Sequence, residues 1–320
     1  MPGSSSPHRG WLLPPRPRIA VVGAHGLVGE ALVQVLELRE FPTEKVVEHH
    51  LRDFTPAAAA NADLVFLAAP ATLSLQWAKK LVHQGCIVID LSEAWRLDYK
   101  VPLVLSGHNL EALQQHQGLI ASPNCTNGGL VHVLNLLRRH FALKKVVVTT
   151  FQAASGGGRE LLEALNQPSA ALHANVIPQC DSFSPDGSTL EELRVVEESQ
   201  RLLGPPAVEI SATCVRVPVA VGHGLSVWMD FENDLSLEAV RKILDAEDAI
   251  VLAPRAADYP TPKSHSGQEG VFVGRVRHGA TAKQLQMWIV TDNLLTGAAS
   301  NAVDLAQALL PNSQSLQQSH

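Results

Sequence analysis

The first 120 residues alternate short apolar runs with amphipathic stretches. Residues 18–23 (Arg-Ile-Ala-Val-Val-Gly) make the first run, and residues 45–48, 64–68 and 87–91 make three more. Between them, Ala31, Leu32, Val35, Leu36 and Leu38 fall at helical spacing within residues 29–40, and a second helical stretch covers residues 75–83. That rhythm predicts a parallel sheet covered on both faces. Beyond residue 124 the pattern changes. Helices are expected over residues 130–141, 160–165, 189–203 and 236–244, and longer strands over residues 145–151, 209–218, 225–231 and 284–290. This reads as a mixed α+β second domain. An Ala- and Leu-rich helix over residues 297–310 is expected to return to the first domain. The opening 15 residues, rich in Pro, Ser and Gly, and the polar residues 313–320 read as disordered tails.

Composition narrows the class. A chain of 320 residues suggests two domains and is long enough to fold without disulfides or metal. Its four Cys show no framework spacing, and neither C-x-x-C nor H-E-x-x-H occurs, so no metal site is expected. With 25 basic against 31 acidic residues the net charge is −6, which leaves no electrostatic footprint for nucleic acid or an anionic membrane. Mean hydropathy is near zero and no apolar run approaches ~20 residues, so nothing is expected to span a bilayer. The apolar patch at residues 11–13 is too short for a signal peptide. A cytoplasmic protein is expected.

Two stretches carry candidate chemistry. Gly23-Ala24-His25-Gly26-Leu27-Val28-Gly29 follows the first strand and opens the first helix. G-x-x-G-x-x-G there lets the backbone turn tightly and approach a pyrophosphate at the helix N-terminus; a glycine-packed βα turn is the simpler alternative. Glu48, 22 residues after Gly26, stands where an acidic residue takes the ribose 2′-hydroxyl of NAD, or is a solvated carboxylate beside His49 and His50. The second stretch, residues 122–129 (Ser-Pro-Asn-Cys-Thr-Asn-Gly-Gly), puts Cys125 at the head of a helix, where a thiol pKa is expected to fall. Cys86, Cys180 and Cys214 read as buried small hydrophobes.

Four motifs together resemble the aspartate-semialdehyde dehydrogenase family, from about Arg18 to Leu310. The family's N-P-N-C-[ST] turn corresponds to residues 122–126, with Ser122 in place of the first Asn. Its Gln-Ala-x-Ser-Gly-x-Gly segment is residues 152–158, its Arg-Val-Pro-Val…Gly-His stretch is 216–223, and its Asp-Asn…Gly-Ala-Ala…Asn signature is 292–301. The resemblance implies a Rossmann-type dinucleotide-binding domain over residues 16–123 plus the returning helix 298–312. It implies an α+β catalytic and dimerisation domain over residues 124–297, and a homodimer through that domain's sheet.

By resemblance, Cys125 attacks the carbonyl, His223 is the acid/base and Gln152 orients the reacting group. Arg216, seven residues before His223, would hold a substrate carboxylate. On an extended strand residues seven apart face opposite sides, so the pair meets only if Pro218 or Gly222 bends the chain. Phosphate would be met by Arg96, Glu191 and Arg194, the last standing where the family has Lys. Cofactor contacts are implied for the phosphate loop (Gly23, His25, Gly26, Leu27, Val28, Gly29), Glu48, Ser155, Gly156 and Asn293. The substrate implied is a small carboxylate, with phosphate as co-substrate. N-acetyl-glutamyl-phosphate reductases share the chemistry, and the motifs fit them less well.

The departures fall on the cofactor side. The family's Ser/Arg loop for the adenosine 2′-phosphate of NADP, with the strand and turn after it, is missing: residues 48–56 run directly into the third strand. His25 replaces a Thr, residues 69–72 (Ala-Pro-Ala-Thr) replace a Gly-Gly loop with Pro70 removing an amide donor, and Leu91 replaces an Asn. Three readings follow: an active semialdehyde dehydrogenase, using NAD or NADP, with NAD preference or weak cofactor affinity; a thiol site working without hydride transfer as an esterase-like or phosphatase-like acyl handler; or a cofactor-free pseudoenzyme acting as a binding or regulatory dimer.

Overall fold

The computed structural model describes residues 11–311. Its strands are β1 (Arg18–Val22), β2 (Lys45–His49), β3 (Leu64–Leu67), β4 (Ile87–Asp90), β5 (Leu119–Ala121), β6 (Leu143–Gln152), β7 (Glu209–Arg216), β8 (His223–Phe231), β9 (Ile250–Leu252), β10 (Val271–His278) and β11 (Gln284–Thr291). The helices are α1 (Leu27–Leu38), α2 (Ala71–His83), α3 (Cys125–His140), α4 (Arg159–Ala164), α5 (Leu190–Leu203), α6 (Leu237–Asp245), α7 (Pro262–His265) and α8 (Ser300–Ala308).

The first sheet has the order β2-β1-β3-β4-β5, and every pair is parallel. Side chains alternate between two buried faces. Ile19, Val21, Leu64 and Phe66 pack with Leu32 and Val35 of α1 and with Ala302, Val303 and Ala306 of α8. Ala20, Val22, Val65 and Leu67 face Trp77, Ala78 and Leu81 of α2. The expected parallel sheet with helices on both faces is the observed one, and the C-terminal helix does return to it.

The second sheet runs β7-β6-β8-β11-β10-β9 and is mixed. One face buries Val146, Val148, Leu225, Val227, Leu285 and Met287 against α3, α5 and α6. The opposite face carries exposed Val147 and half-exposed Phe151, Trp228 and Trp288.

Several boundaries differ from expectation for local reasons. α3 starts at Cys125 rather than near Leu130, because Asn124 caps it: its Oδ1 accepts from the Thr126 amide at 2.8 Å. Gly128 and Gly129 hide this turn in the sequence, yet a Cβ at Gly129 would lie 2.5 Å from Thr291 Cγ2. β7 stops at Arg216, before Pro218. β5 and β9 are only three residues long, and β10 places Gly274, Arg275 and Arg277 within its run, so periodicity did not reveal them. Part of the expected N-terminal tail is ordered. Leu13 is buried and its amide bonds to the Leu309 carbonyl at 3.0 Å. Residues 1–10 and 312–320, including the expected tail 313–320, lie outside the described residues.

Candidate active site

Four chain ends converge at one edge of the second sheet. β6 ends at Gln152, in register with Arg216 at the end of β7. β8 runs the other way, so it begins there with His223, and Gly224 pairs with Phe151. The head of α3 adds Cys125. Residues 217–222 reverse the chain, with Gly222 at φ 94°, a left-handed conformation that glycine adopts without strain. That reversal brings Arg216 and His223 to one place, as an unbroken strand could not.

The Cys125 sulfur lies 3.4 Å from His223 Nε2. Cys125 lines a cavity of about 480 Å³ together with Gln152, Glu191, Arg194 and Arg216, and His223 is buried behind it. Two glycines make the fit. A Cβ at Gly156 would stand 2.8 Å from an Arg216 terminal nitrogen and 3.0 Å from His223 Cε1. One at Gly297 would stand 2.8 Å from Cys125 Cβ. Gly297 belongs to a π-helical turn (Leu295–Ala299) that enters α8, and such turns recur at functional sites.

Every reactive side chain has a fixed partner. The Ala153 amide donates to His223 Nδ1 at 3.1 Å, and Arg216 donates to the Ala153 carbonyl at 2.7 Å. Gln152 Nε2 donates to Glu191 at 2.9 Å and to Thr126 Oγ1 at 3.2 Å. Glu191 also accepts from Asn124 Nδ2 at 3.0 Å. Arg194 pairs with Asp181 at 2.6 Å and reaches Glu191 at 3.6 Å. Arg96 differs from expectation. It stands behind the cavity wall, where Nε donates to the Ser122 carbonyl, one terminal nitrogen to Glu198 and the other to the Leu91 carbonyl, at 2.9, 3.1 and 2.7 Å.

The expectation of a lowered thiol pKa is corrected. Burial pushes the Cys125 thiol up to about 12, and the Glu191 carboxylate adds to the rise. Arg96, Arg216 and the Thr126 hydroxyl pull the other way and do not win against desolvation. Burial, then Arg216, pushes His223 down to about 3. Thiol and imidazole are both neutral at rest. Burial raises Glu191 as well. Cys86, Cys180 and Cys214 are all buried as expected; Cys180, which burial pushes up to about 11, also borders the cavity.

The phosphate loop sorts its glycines into two jobs. Gly23 (φ 86°) and Gly29 are required by packing, since a Cβ on either would stand 2.1 Å from a carbonyl oxygen. Gly26 is the N-cap of α1, and no side chain caps that helix. Uncapped first-turn amides beside a glycine fit the diphosphate of a dinucleotide, with Leu27 and Val28 supplying the backbone. The His25 ring stacks on His50 with centroids 3.5 Å apart, and the His25 carbonyl accepts from Arg159, which also pairs with Glu30 at 2.6 Å. Glu48 is exposed on the edge strand β2, opposite Val21. Ser155 and Asn293 are buried and bonded to each other at 3.1 Å, with Asn293 Oδ1 accepting from the Gly222 amide at 2.8 Å, so they brace the glycine-rich turn.

Sequence reasoning missed Glu198 and Asp181. For Glu198 the signal was present: it stands seven residues, two helical turns, beyond Glu191 on the face of α5 that meets α3. Asp181 sits in an irregular loop at φ 70°, where no periodicity marks it. Among the described residues no His, Cys, Asp and Glu group could hold a metal ion, and no helix is long and apolar enough to cross a membrane.

Two family models match the chain: the semialdehyde dehydrogenase dimerisation domain over residues 134–296, and the semialdehyde dehydrogenase NAD binding domain over residues 40–116, starting beyond the phosphate loop. The chain is similar to aspartate-semialdehyde dehydrogenase of Aquifex aeolicus, 34% identical over 332 residues covering 92% of this chain and 98% of that protein. It is 33% identical to aspartate-semialdehyde dehydrogenase of Bacillus subtilis, covering 91% and 96%. Among solved structures it resembles aspartate semialdehyde dehydrogenase II of Vibrio cholerae in complex with ASA, with TM-score 0.85, 30% identity and coverage of 92% and 98%.

Proposed function

The chain belongs to the aspartate-semialdehyde dehydrogenase family, and from that footing we propose that it reduces an acyl-phosphate to a semialdehyde through a thioester on Cys125. The observation that carries this is the Cys125–His223 contact of 3.4 Å on a cavity whose wall holds two arginines. Arg216 meets the substrate carboxylate and Arg194 the phosphate, two planar donors suited to two oxyanions. Arg96, with its nitrogens committed to the protein, contributes its charge from behind the thiol.

The steps use this chain's own groups. Sulfur attacks the acyl carbon, the C–O bond to phosphate breaks, and phosphate leaves with its electron pair. The thiol proton passes to His223 Nε2, 3.4 Å away, as the sulfur commits. A nicotinamide cofactor, when bound at the phosphate loop, supplies the hydride. A thiohemiacetal oxygen then forms next to His223 Nε2, and collapse to the aldehyde returns the electron pair to sulfur. To act as base at Nε2, His223 has to release the Ala153 amide and take the other tautomer. Gln152, bonded to Glu191, presents its amide to the carbonyl under attack.

A dimer through the open face of the second sheet, where Phe151, Trp228 and Trp288 are half-exposed, is part of this reading. A cofactor-free role for the same thiol site, or none beyond binding, is favoured by one observation. His25 of the phosphate loop is stacked on His50, and only residues 50–55 separate β2 from the next helical turn.

Titration with NADH and NADPH, followed by the fluorescence of the five Trp, separates the two. Binding of either nucleotide below millimolar concentration is expected. No binding of either at millimolar levels sinks the dehydrogenase.

A further inference from the structure

The nucleophile turn is held by a carboxylate that no sequence motif singled out. Glu198 is 1% exposed, in the middle of α5. One of its oxygens accepts from the Asn124 backbone amide at 2.7 Å and from Asn127 Nδ2 at 3.2 Å. The other accepts from Arg96 at 3.1 Å. Arg96 in turn holds the Ser122 carbonyl at 2.9 Å. The two buried side chains therefore grip the Ser122-Pro123-Asn124 turn at both ends, immediately before Cys125. Asn124 caps α3 with its Oδ1 and donates its side-chain nitrogen to Glu191, so Glu198 holds the one donor of Asn124 that those bonds leave, its backbone N–H; at the other end of the turn Ser122 is also bonded to Asp90 and Asn301.

A buried carboxylate here is costly unless it has such partners. Stability alone does not account for it, since apolar residues of similar volume often replace buried ion pairs without loss. What the pair adds is a direction: a donor on one side and an acceptor on the other of a three-residue turn, with Pro123 limiting the turn's own freedom. Resting on the reading of Cys125 as nucleophile, we infer that Glu198 is a positioning residue, which with Arg96 sets the sulfur against His223. It touches neither substrate nor cofactor.

Two variants test this. Glu198→Gln keeps the size of the side chain and removes its charge. Glu198→Asp keeps the charge for Arg96 and draws the carboxylate back from the Asn124 amide. Thermal unfolding identifies the folded preparations. The readouts are the alkylation rate of Cys125 by iodoacetamide at pH 8.5, and kcat and KM with aspartate semialdehyde, phosphate and NAD or NADP. A sulfur displaced by about 1 Å costs on the order of tenfold to a hundredfold in rate. Both variants are expected to lose at least about tenfold in alkylation rate and in kcat, with KM for aldehyde and phosphate within about threefold of the parent. Alkylation of either folded variant at the parental rate overturns the inference, because a role in stability alone would leave that rate unmoved. If the parent turns over with neither nucleotide, the dehydrogenase reading fails, while the alkylation arm still decides the role of Glu198.

Discussion

The Ala153 amide donates to Nδ1 of His223 at 3.1 Å, and that bond decides which proton faces Cys125. With Nδ1 accepting, the neutral ring carries its hydrogen on Nε2, so the sulfur 3.4 Å away faces a donor. Burial and Arg216 push the ring down to about 3, so it stays neutral through the working range. Nitrogen NMR of the free protein should show His223 as the Nε2–H tautomer, with no titration between pH 8 and about pH 5. A ring that titrates near pH 6.5, or that carries its proton on Nδ1, would undo this account of the dyad.

Glu191 acts on the thiol with a definite sign. Its carboxylate is among the causes that raise the Cys125 pKa, so replacing it with a neutral group lowers that pKa. In Glu191→Gln the pH profile of Cys125 alkylation should shift toward acid, making the thiol more reactive at pH 8.5. Turnover should nevertheless fall by about tenfold, because Gln152 and Asn124 lose a charged acceptor. A faster thiol in a slower enzyme is the outcome that marks Glu191 as an organiser of the site. An unshifted profile removes its electrostatic role.

Gly297 supplies a steric test. Its missing side chain is where Cys125 Cβ and the Cys125 carbonyl come within 2.8 Å. Gly297→Ala must push the π turn and the head of α3 apart, at about 1–3 kcal/mol of stability, the usual cost of overpacking. The loss in kcat should exceed what the loss of folded protein explains, since the displaced atom is the nucleophile. Urea unfolding and kcat on the same preparation make the comparison, and a stability loss without a kcat loss refutes it.

Much of this site was legible in the sequence because its parts are tied to chain ends. Cys125 heads a helix, Gln152 and Arg216 end strands, and His223 begins one, so the motifs that mark those boundaries also mark the chemistry. The electrostatics were not legible. Helix-head position alone argues for a lowered thiol pKa, and only the packing reveals that burial and Glu191 reverse it. For Arg96 the resemblance names phosphate, and nothing local in the sequence reveals that Glu198, some 100 residues away, takes one of its nitrogens. β10 escaped because its outward positions are Arg275 and Arg277 and its inward run is broken by Gly274.

Acid should destabilise the fold before carboxylate protonation does. His223 and His132 are held down to about 3 and about 4, mainly by burial, with Arg216 acting on the first and His108 on the second. Both stay neutral when folded and take up a proton at the usual 6.5 when unfolded, so stability present above pH 6.5 is lost as pH falls toward 4. At pH 5 each contributes a loss on the order of 2 kcal/mol. His49, His108 and His116 are shifted the same way by burial and add to it. Asp90 opposes them. Buried and bonded to Ser92, its carboxyl is raised to about 6, so at pH 5 the folded state has taken up a proton there and recovers about 1 kcal/mol, and Glu191, raised by burial, acts in the same direction. Urea unfolding at pH 7 and pH 5 should therefore give a net loss of at least about 2 kcal/mol. His132→Gln should flatten that loss without touching the cavity, whereas Asp90→Asn should steepen it. Equal stability at the two pH values would mean that the buried histidines are protonated in the folded protein.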